Sequence, residues 1–336
     1  MLTERQNLVL RAIVEEFIKN AEPVGSRTLS KHSEVNFSPA TIRNEMADLE
    51  ELGYIEKTHT SSGRVPSEQG YRYYIDNILR LNEPKKEKYP RLEELFDNDM
   101  LATDEIIDQT LKLVSELTNY TSMVLGPSKS KSLVKKIELV KITSNEALII
   151  IITDSGHVEN RKLIIDELNI IEMQKVVKVL NEVLIDVPVN RIAEKLAFEI
   201  KRSELRDFME YHESLIDSFI RAFSQFNQEK FKMSGQYNLL YEPEFHDINK
   251  VRSFIEAVEK REILSLMERN NQGLTIKIGS ENRLQFMENC TLISIPYQNR
   301  YGEVGSIAVV GPKRMNYRKV IPLLEYIANN MNKIDK

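Results

Sequence analysis

Apolar residues open the chain at a helical period. Leu10, Ile13, Val14, Phe17 and Ile18 fall at i, i+3, i+4, i+7 and i+8, which predicts an amphipathic helix with one buried stripe. Thr3 and Gln6 stand before it at capping-box spacing, and Glu22-Pro23-Val24-Gly25 ends it with breaker residues. Ser26 then caps a short second helix over 27–32, with Leu29 facing inward. The third helix carries the fullest set of signals. Ser38 is its N-cap, Pro39 takes the first helical position, Gly53 lies just past the end, and Ile42, Met46, Leu49 and Leu52 form an apolar edge. After Gly53 the period falls to two. Tyr54-Ile55-Glu56-Lys57-Thr58 predicts a strand, His59-Thr60-Ser61-Ser62-Gly63 a polar turn and Arg64-Val65 a returning strand, so a wing follows the third helix. A closing helix sets Tyr71, Tyr74, Ile75 and Ile78 on one face, which makes these tyrosines packing residues.

Beyond residue 80 the pattern thins. Residues 81–103 are polar and charged, with room for one short helix over 91–96, and predict a linker that lets two N-terminal modules adjust their separation. A helix from about 104 precedes strands at 121–125, 134–142, 147–153 and 158–165, the last two joined by a tight turn at Asp154-Ser155-Gly156-His157. Residues 168–228 are helical by period, with a break at Pro188, and a further helix is expected over 248–268. Strands return at 274–278, 291–296 and 304–310, before a last helix over 317–330 whose start Pro322 is expected to delay by a turn. Tyr237, Leu239 and Leu240 also allow a strand. Strands, then helices, then strands predict an α+β chain: an N-terminal domain over 1–80, a sheet domain over 104–165 and 273–336, and a mostly helical insertion over 166–272. The longest apolar run, 147–152, has six residues. A bilayer span needs about 20, so this run reads as a buried strand. Glu4, Arg5 and Gln6 interrupt any apolar leader, and the chain is expected in the cytoplasm, with no membrane partner.

Net charge is −5 over 336 residues, and the first 80 carry ten basic against twelve acidic side chains. Bulk attraction to nucleic acid is therefore absent, and any DNA contact depends on where the charges lie. The third helix separates them. Opposite its apolar edge lie Ala40, Asn44 and Ala47, flanked by Thr41 and Arg43, while Glu45, Asp48, Glu50 and Glu51 sit toward the flanks and the C-terminal half. Its N-terminal half is the part a recognition helix inserts into the major groove. There Asn44 suits adenine, Arg43 suits guanine or phosphate, and Ser38, Ala40, Thr41 and Ala47 complete a small, uncharged face. Lys57, His59, Thr60, Ser61, Ser62 and Arg64 in the wing are phosphate-binding residue types, and Arg64 also suits a narrow minor groove. Three helices and a hairpin occur equally in protein-interaction modules, and spacing alone leaves that alternative open.

Little else points to chemistry. The five histidines show no metal-ligand spacing. His246-Asp247 and Tyr211-His212-Glu213 read as solvated pairs, and Gly302, Gly305 and Gly311 lack the strand-to-helix setting of a phosphate loop. A single cysteine, Cys290, excludes an internal disulfide and a multi-thiolate metal site and reads as a small buried residue. No enzyme and no cofactor are expected.

Extended blocks do carry a resemblance. Residues 25–30 (Gly-Ser-Arg-Thr-Leu-Ser), 38–50 (Ser-Pro-Ala-Thr-Ile-Arg-Asn-Glu-Met-Ala-Asp-Leu-Glu), the wing at 59–66 and Gly70-Tyr71-Arg72-Tyr73-Tyr74 resemble the bacterial heat-inducible transcription repressor family HrcA. Pro243-Glu244-Phe245-His246-Asp247, Ile278-Gly279-Ser280-Glu281-Asn282 and residues 311–317 (Gly-Pro-Lys-Arg-Met-Asn-Tyr) fit the same family, so the blocks span the chain in order. The resemblance implies an N-terminal winged helix-turn-helix and a GAF-like antiparallel sheet domain, interrupted by a dimerising insertion. It also implies a homodimeric repressor on an inverted-repeat operator of the groE and dnaK chaperone genes, relieved on heat shock and supported by the GroE chaperonin. A GAF-type ligand-sensing regulator is the alternative.

Overall fold

The computed structural model describes residues 2–58, 63–79, 88–98, 100–127, 132–144, 146–154, 156, 158–164, 170–192, 194–196, 198, 231–245, 247–259, 262–267, 273–299 and 303–333. Mixed helices and antiparallel sheets make the chain α+β. It divides into two compact units, Met1–Gly126 with Phe231–Lys336, and Pro127–Lys230.

The first unit begins with helix α1 (Glu4–Asn20), closed at its start by the reciprocal Thr3–Gln6 bonds and at its end by Ala21 in the left-handed region. Helix α2 (Ser26–Leu29) is shorter than its sequence allows, because Lys31 and His32 only turn back on the Thr28 and Leu29 carbonyls. Helix α3 (Pro39–Glu51) starts where Ser38 Oγ accepts the Thr41 N–H at 3.1 Å. Ile42, Met46 and Leu49 are buried, whereas Leu52, expected on the same edge, is 50 % exposed at the C-cap. Strands β1 (Ile55–Lys57) and β2 (Arg64–Pro66) pair antiparallel, and Val24 adds a bridge to Arg64 on the outer side. Helix α4 (Glu68–Tyr73) widens into a π-helical stretch, Tyr74–Leu79, and Tyr71, Tyr74, Ile75 and Ile78 are all buried.

The expected 81–103 linker is corrected in its second half. Helix α5 (Pro90–Phe96) buries Leu92, Leu95 and Phe96 in the same core as α1–α4, and Tyr326 meets the rings of Tyr89 and Phe96. Three apolar residues sealed in that core remove the freedom assigned to a hinge; 80–87 lie outside the described residues. Helix α6 (Thr103–Thr118) then leads into strand β3 (Thr121–Leu125) of a five-stranded antiparallel sheet.

The second unit departs furthest from expectation. Strands β4 (Val134–Lys141), β5 (Glu146–Thr153) and β6 (Val158–Ile164) form their own three-stranded sheet, covered on one face by helix α7 (Ile170–Leu184). Asn181 of α7 bonds both backbone groups of Ile137, at 2.9 and 2.8 Å, and fixes the helix to β4. The break in the sheet domain therefore falls near 126 and 231, in place of 166 and 272. The helical reading over 199–230 lies outside the described residues.

The chain returns at strand β7 (Phe231–Ser234), which no sequence signal marked, and the run 238–241 is a 3₁₀ turn where a strand had been allowed. Helix α8 (Ile248–Glu259) is followed, within the stretch expected to be helical to 268, by a 3₁₀ turn at Glu262–Leu266. Strands β8 (Thr275–Ile278), β9 (Cys290–Gln298) and β10 (Val304–Pro312) complete the order β7-β3-β10-β9-β8. Helix α9 (Tyr317–Asn330) begins at Tyr317 with Pro322 inside it. No delay occurs, because the Asn316 side chain accepts the Lys319 N–H at 3.3 Å and caps the first turn ahead of the proline. Alternate residues of this sheet enter two cores. Val124, Ile293, Ile307 and Val309 meet α6 and α9; Met123, Leu292, Ala308 and Val310 meet Phe245, Phe254 and Met287.

Candidate nucleic-acid interface

Helix α3 turns its expected reading face outward. Ala40, Arg43, Asn44 and Ala47 are exposed, Ser38 precedes them and Thr41 is half-buried behind the Ser38 cap. Neither Arg43 nor Asn44 has a side-chain partner among the described residues, so both donors are available to a ligand. The apolar residues opposite are sealed against α1, which leaves this helix no freedom to roll its polar face inward.

The acidic residues are sorted by the fold as well as by sequence. Glu50 sits at the hairpin base, where Arg64 contacts it through Nε at 2.8 Å and a terminal nitrogen at 2.7 Å. Lys57 lies 3.5 Å away on the neighbouring strand. Arg64 is 15 % exposed at its side chain and ties the hairpin to the end of α3. Lys57 is exposed and remains the outward cation of β1. His59, Thr60, Ser61 and Ser62 lie outside the described residues.

Sequence reasoning found the face and missed its supports. By sequence Glu50 is a charge set aside; in the fold it holds both hairpin cations. By sequence Val24 belongs to a helix-ending breaker; in the fold its N–H and carbonyl bond Arg64 at 2.8 and 2.9 Å. Ser67 carries a signal that was available: a serine directly after Pro66 is an N-cap type, and its Oγ accepts the Gly70 N–H at 3.0 Å. Cys290 is buried, and burial pushes its thiol up to about 12, so it stays protonated and inert at neutral pH. No described helix is long and apolar enough to cross a membrane.

Three helices, a hairpin tied to the third of them and an outward row of groove-compatible side chains define the class: a candidate nucleic-acid-reading module carried on a larger sheet-containing body. The comparisons narrow the class to a family. The HrcA protein C-terminal domain model matches residues 104–321. The heat-inducible transcription repressor HrcA of Bacillus pumilus (strain SAFR-032) is 44 % identical, covering 99 % of this chain and 97 % of its own length. Its counterpart from Acholeplasma laidlawii (strain PG-8A) is 41 % identical over 100 % and 98 %. A crystal structure of a hypothetical protein matches with a TM-score of 0.71 at 26 % identity, over 99 % of this chain and 98 % of that one. The chain belongs to the HrcA family.

Proposed function

We propose that this chain is a heat-inducible transcription repressor. It binds an inverted-repeat operator of the groE and dnaK chaperone genes as a homodimer and releases it on heat shock, with the GroE chaperonin sustaining the active form. In this reading α1–α4 with the β1–β2 hairpin are a winged helix-turn-helix, the five-stranded sheet is the GAF-like domain, and Pro127–Lys230 is the dimerising insertion.

The observation that carries the reading is the outward face of α3, where Arg43 and Asn44 are exposed and without a side-chain partner among the described residues, on a helix whose carboxylates lie aside. Asn offers adenine a bidentate pair and Arg reaches guanine or phosphate. Ser38, Ala40, Thr41 and Ala47 give the close fit, and Lys57 with His59, Thr60, Ser61 and Ser62 contacts phosphate. Arg64 acts by holding the hairpin against α3. The homodimer is supported by the face of the three-stranded sheet that no described element covers, where Leu148, Ile150 and Ile152 are half-buried and Val140 and Val158 exposed.

Fluorescence anisotropy of the full chain on an inverted-repeat duplex tests the reading. Asn44→Ala is expected to cost roughly 1–3 kcal/mol of specific affinity and relax base preference at one position. Lys57→Ala should weaken all sequences alike and shallow the salt dependence by about one unit of slope. Salt-insensitive binding, or affinity unchanged by both substitutions, removes the recognition-helix assignment.

A further inference from the structure

The three-helix module shares an apolar core with the five-stranded sheet, and its main polar seat is the loop Gly279–Asn282, between β8 and β9. Glu68, the first residue of α4, accepts the Ser280 hydroxyl at 2.6 Å, the Ser280 N–H at 3.3 Å and the Lys313 ammonium at 3.2 Å. One turn on, Arg72 grips Glu281 through Nε at 3.1 Å and through a terminal nitrogen, which also donates to the Ile276 carbonyl at 2.7 Å. The loop is itself fixed. Glu281 accepts the Ile278 N–H at 2.8 Å, and the Asn282 amide donates to the carbonyls of Lys277, Gly279 and Cys290. Gly279 has φ +50°, and a Cβ there would run into the Glu68 carboxylate.

The other side of α4 holds the end of the reading helix. Ser67 Oγ donates to the Gly53 carbonyl at 2.6 Å, and Gly70 packs directly on the Tyr54 carbonyl. Gly53 and Tyr54 follow α3 by two and three residues. A second strut joins the same bodies where Arg318 of α9 meets Glu15 of α1 at 2.6 Å and donates to Tyr74 OH at 3.2 Å. Short polar links thus run from the sheet edge, through α4, to the C-terminal end of α3.

We propose that Glu68, Arg72, Ser280 and Glu281 are positioning residues for operator reading: they fix the pitch of α3 on the sheet body, so that two copies present their reading helices at one separation. The inference rests on the operator-binding reading above. A dimer reading an inverted repeat needs its two helices about one helical turn of DNA apart, or a multiple. Rigid seating keeps both in register before binding; a loosened seat makes the second helix search.

The test uses the full chain and three kinds of duplex: an inverted repeat, a single half-site, and repeats whose spacer is changed by one or two base pairs. Wild type is expected to bind the intact repeat far more tightly than the half-site and to lose about tenfold or more on a spacer change. Arg72→Ala should match wild type on the half-site, lose about tenfold on the intact repeat and become nearly indifferent to spacing. The charge swap Arg72→Glu with Glu281→Arg should restore spacing preference, and Glu281→Gln should give an intermediate loss without unfolding. Equal losses on half-site and repeat, or retained spacing preference in a folded Arg72→Ala chain, overturn the inference alone. A wild-type chain that binds none of the duplexes overturns the operator-binding reading and this inference with it.

Discussion

In the five-stranded sheet, β10 is buried at every position from Gly305 to Pro312, whereas β5 in the three-stranded sheet alternates buried and half-buried positions along its length. Both strands read as nearly continuous apolar runs. The difference lies in what covers them. Helices α6 and α9 close one face of β10, and α8 with the turns around Phe245 and Met287 closes the other. For β5, α7 closes the face of Ala147, Ile149 and Ile151, and among the described residues the face of Leu148, Ile150 and Ile152 has no cluster of its own. An apolar run therefore fixes how much a strand is able to bury, and the second layer decides how much it does. Among the described residues, Val140 and Val158 on that face are 47 % and 53 % exposed, an apolar patch that the proposed homodimer would cover.

The sharpest break of this comparison is a pair of adjacent substitutions. Ile149→Ala, at a fully buried position under α7, is expected to cost about 2–5 kcal/mol in urea unfolding, as is Ile307→Ala in β10. Ile150→Ala should cost about 1 kcal/mol or less at a concentration where the chain is monomeric. Equal penalties at 149 and 150 would mean that both faces of β5 are covered within one chain. Next in size is the association itself. Ile150→Asp places a charge on the open face, and sedimentation velocity should show the dimer weakened at least about tenfold, with an unchanged circular dichroism spectrum. A dimer of wild-type strength would move the interface elsewhere.

The sequence conveyed the local features and lost the distant ones. Thr3, Ser38 and Pro39 mark helix starts because a cap is satisfied within three residues, and the outward face of α3 follows from its period alone. Strands β4–β6 were placed at their correct positions but in the wrong sheet, since a strand's own residues do not name its partner. The Arg64 ion pair is hidden for the same reason. A basic residue beside a polar turn suits phosphate, but its carboxylate partner stands 14 residues earlier on another element. The block Gly279–Asn282 was visible as a motif, whereas its use as a seat for Glu68 and Arg72 spans more than 200 residues and belongs to the fold.

That seat supplies the smallest expected effect and the finest test of how the covered sheet is closed. Burial raises the Glu68 carboxyl, but the hydrogen bonds from Ser280 and Lys313, with the Lys313 charge, outweigh it and hold the group below its ordinary value of 4.5. A carboxyl lowered in the folded state contributes stability that is complete above its unfolded pKa and is lost as pH falls through the folded one. Thermal melts of wild type and Glu68→Gln should therefore differ by a constant margin above about pH 5.5, and the margin should shrink steadily as the pH falls below about 4.5. The side chain is about one-third exposed, which screens the effect and keeps the margin small. Ile150→Asp should leave this acid-sensitive margin untouched, because β5 belongs to the other compact unit. A margin that persists unchanged at low pH would show that the seat holds through packing around α4 and not through the Glu68 charge.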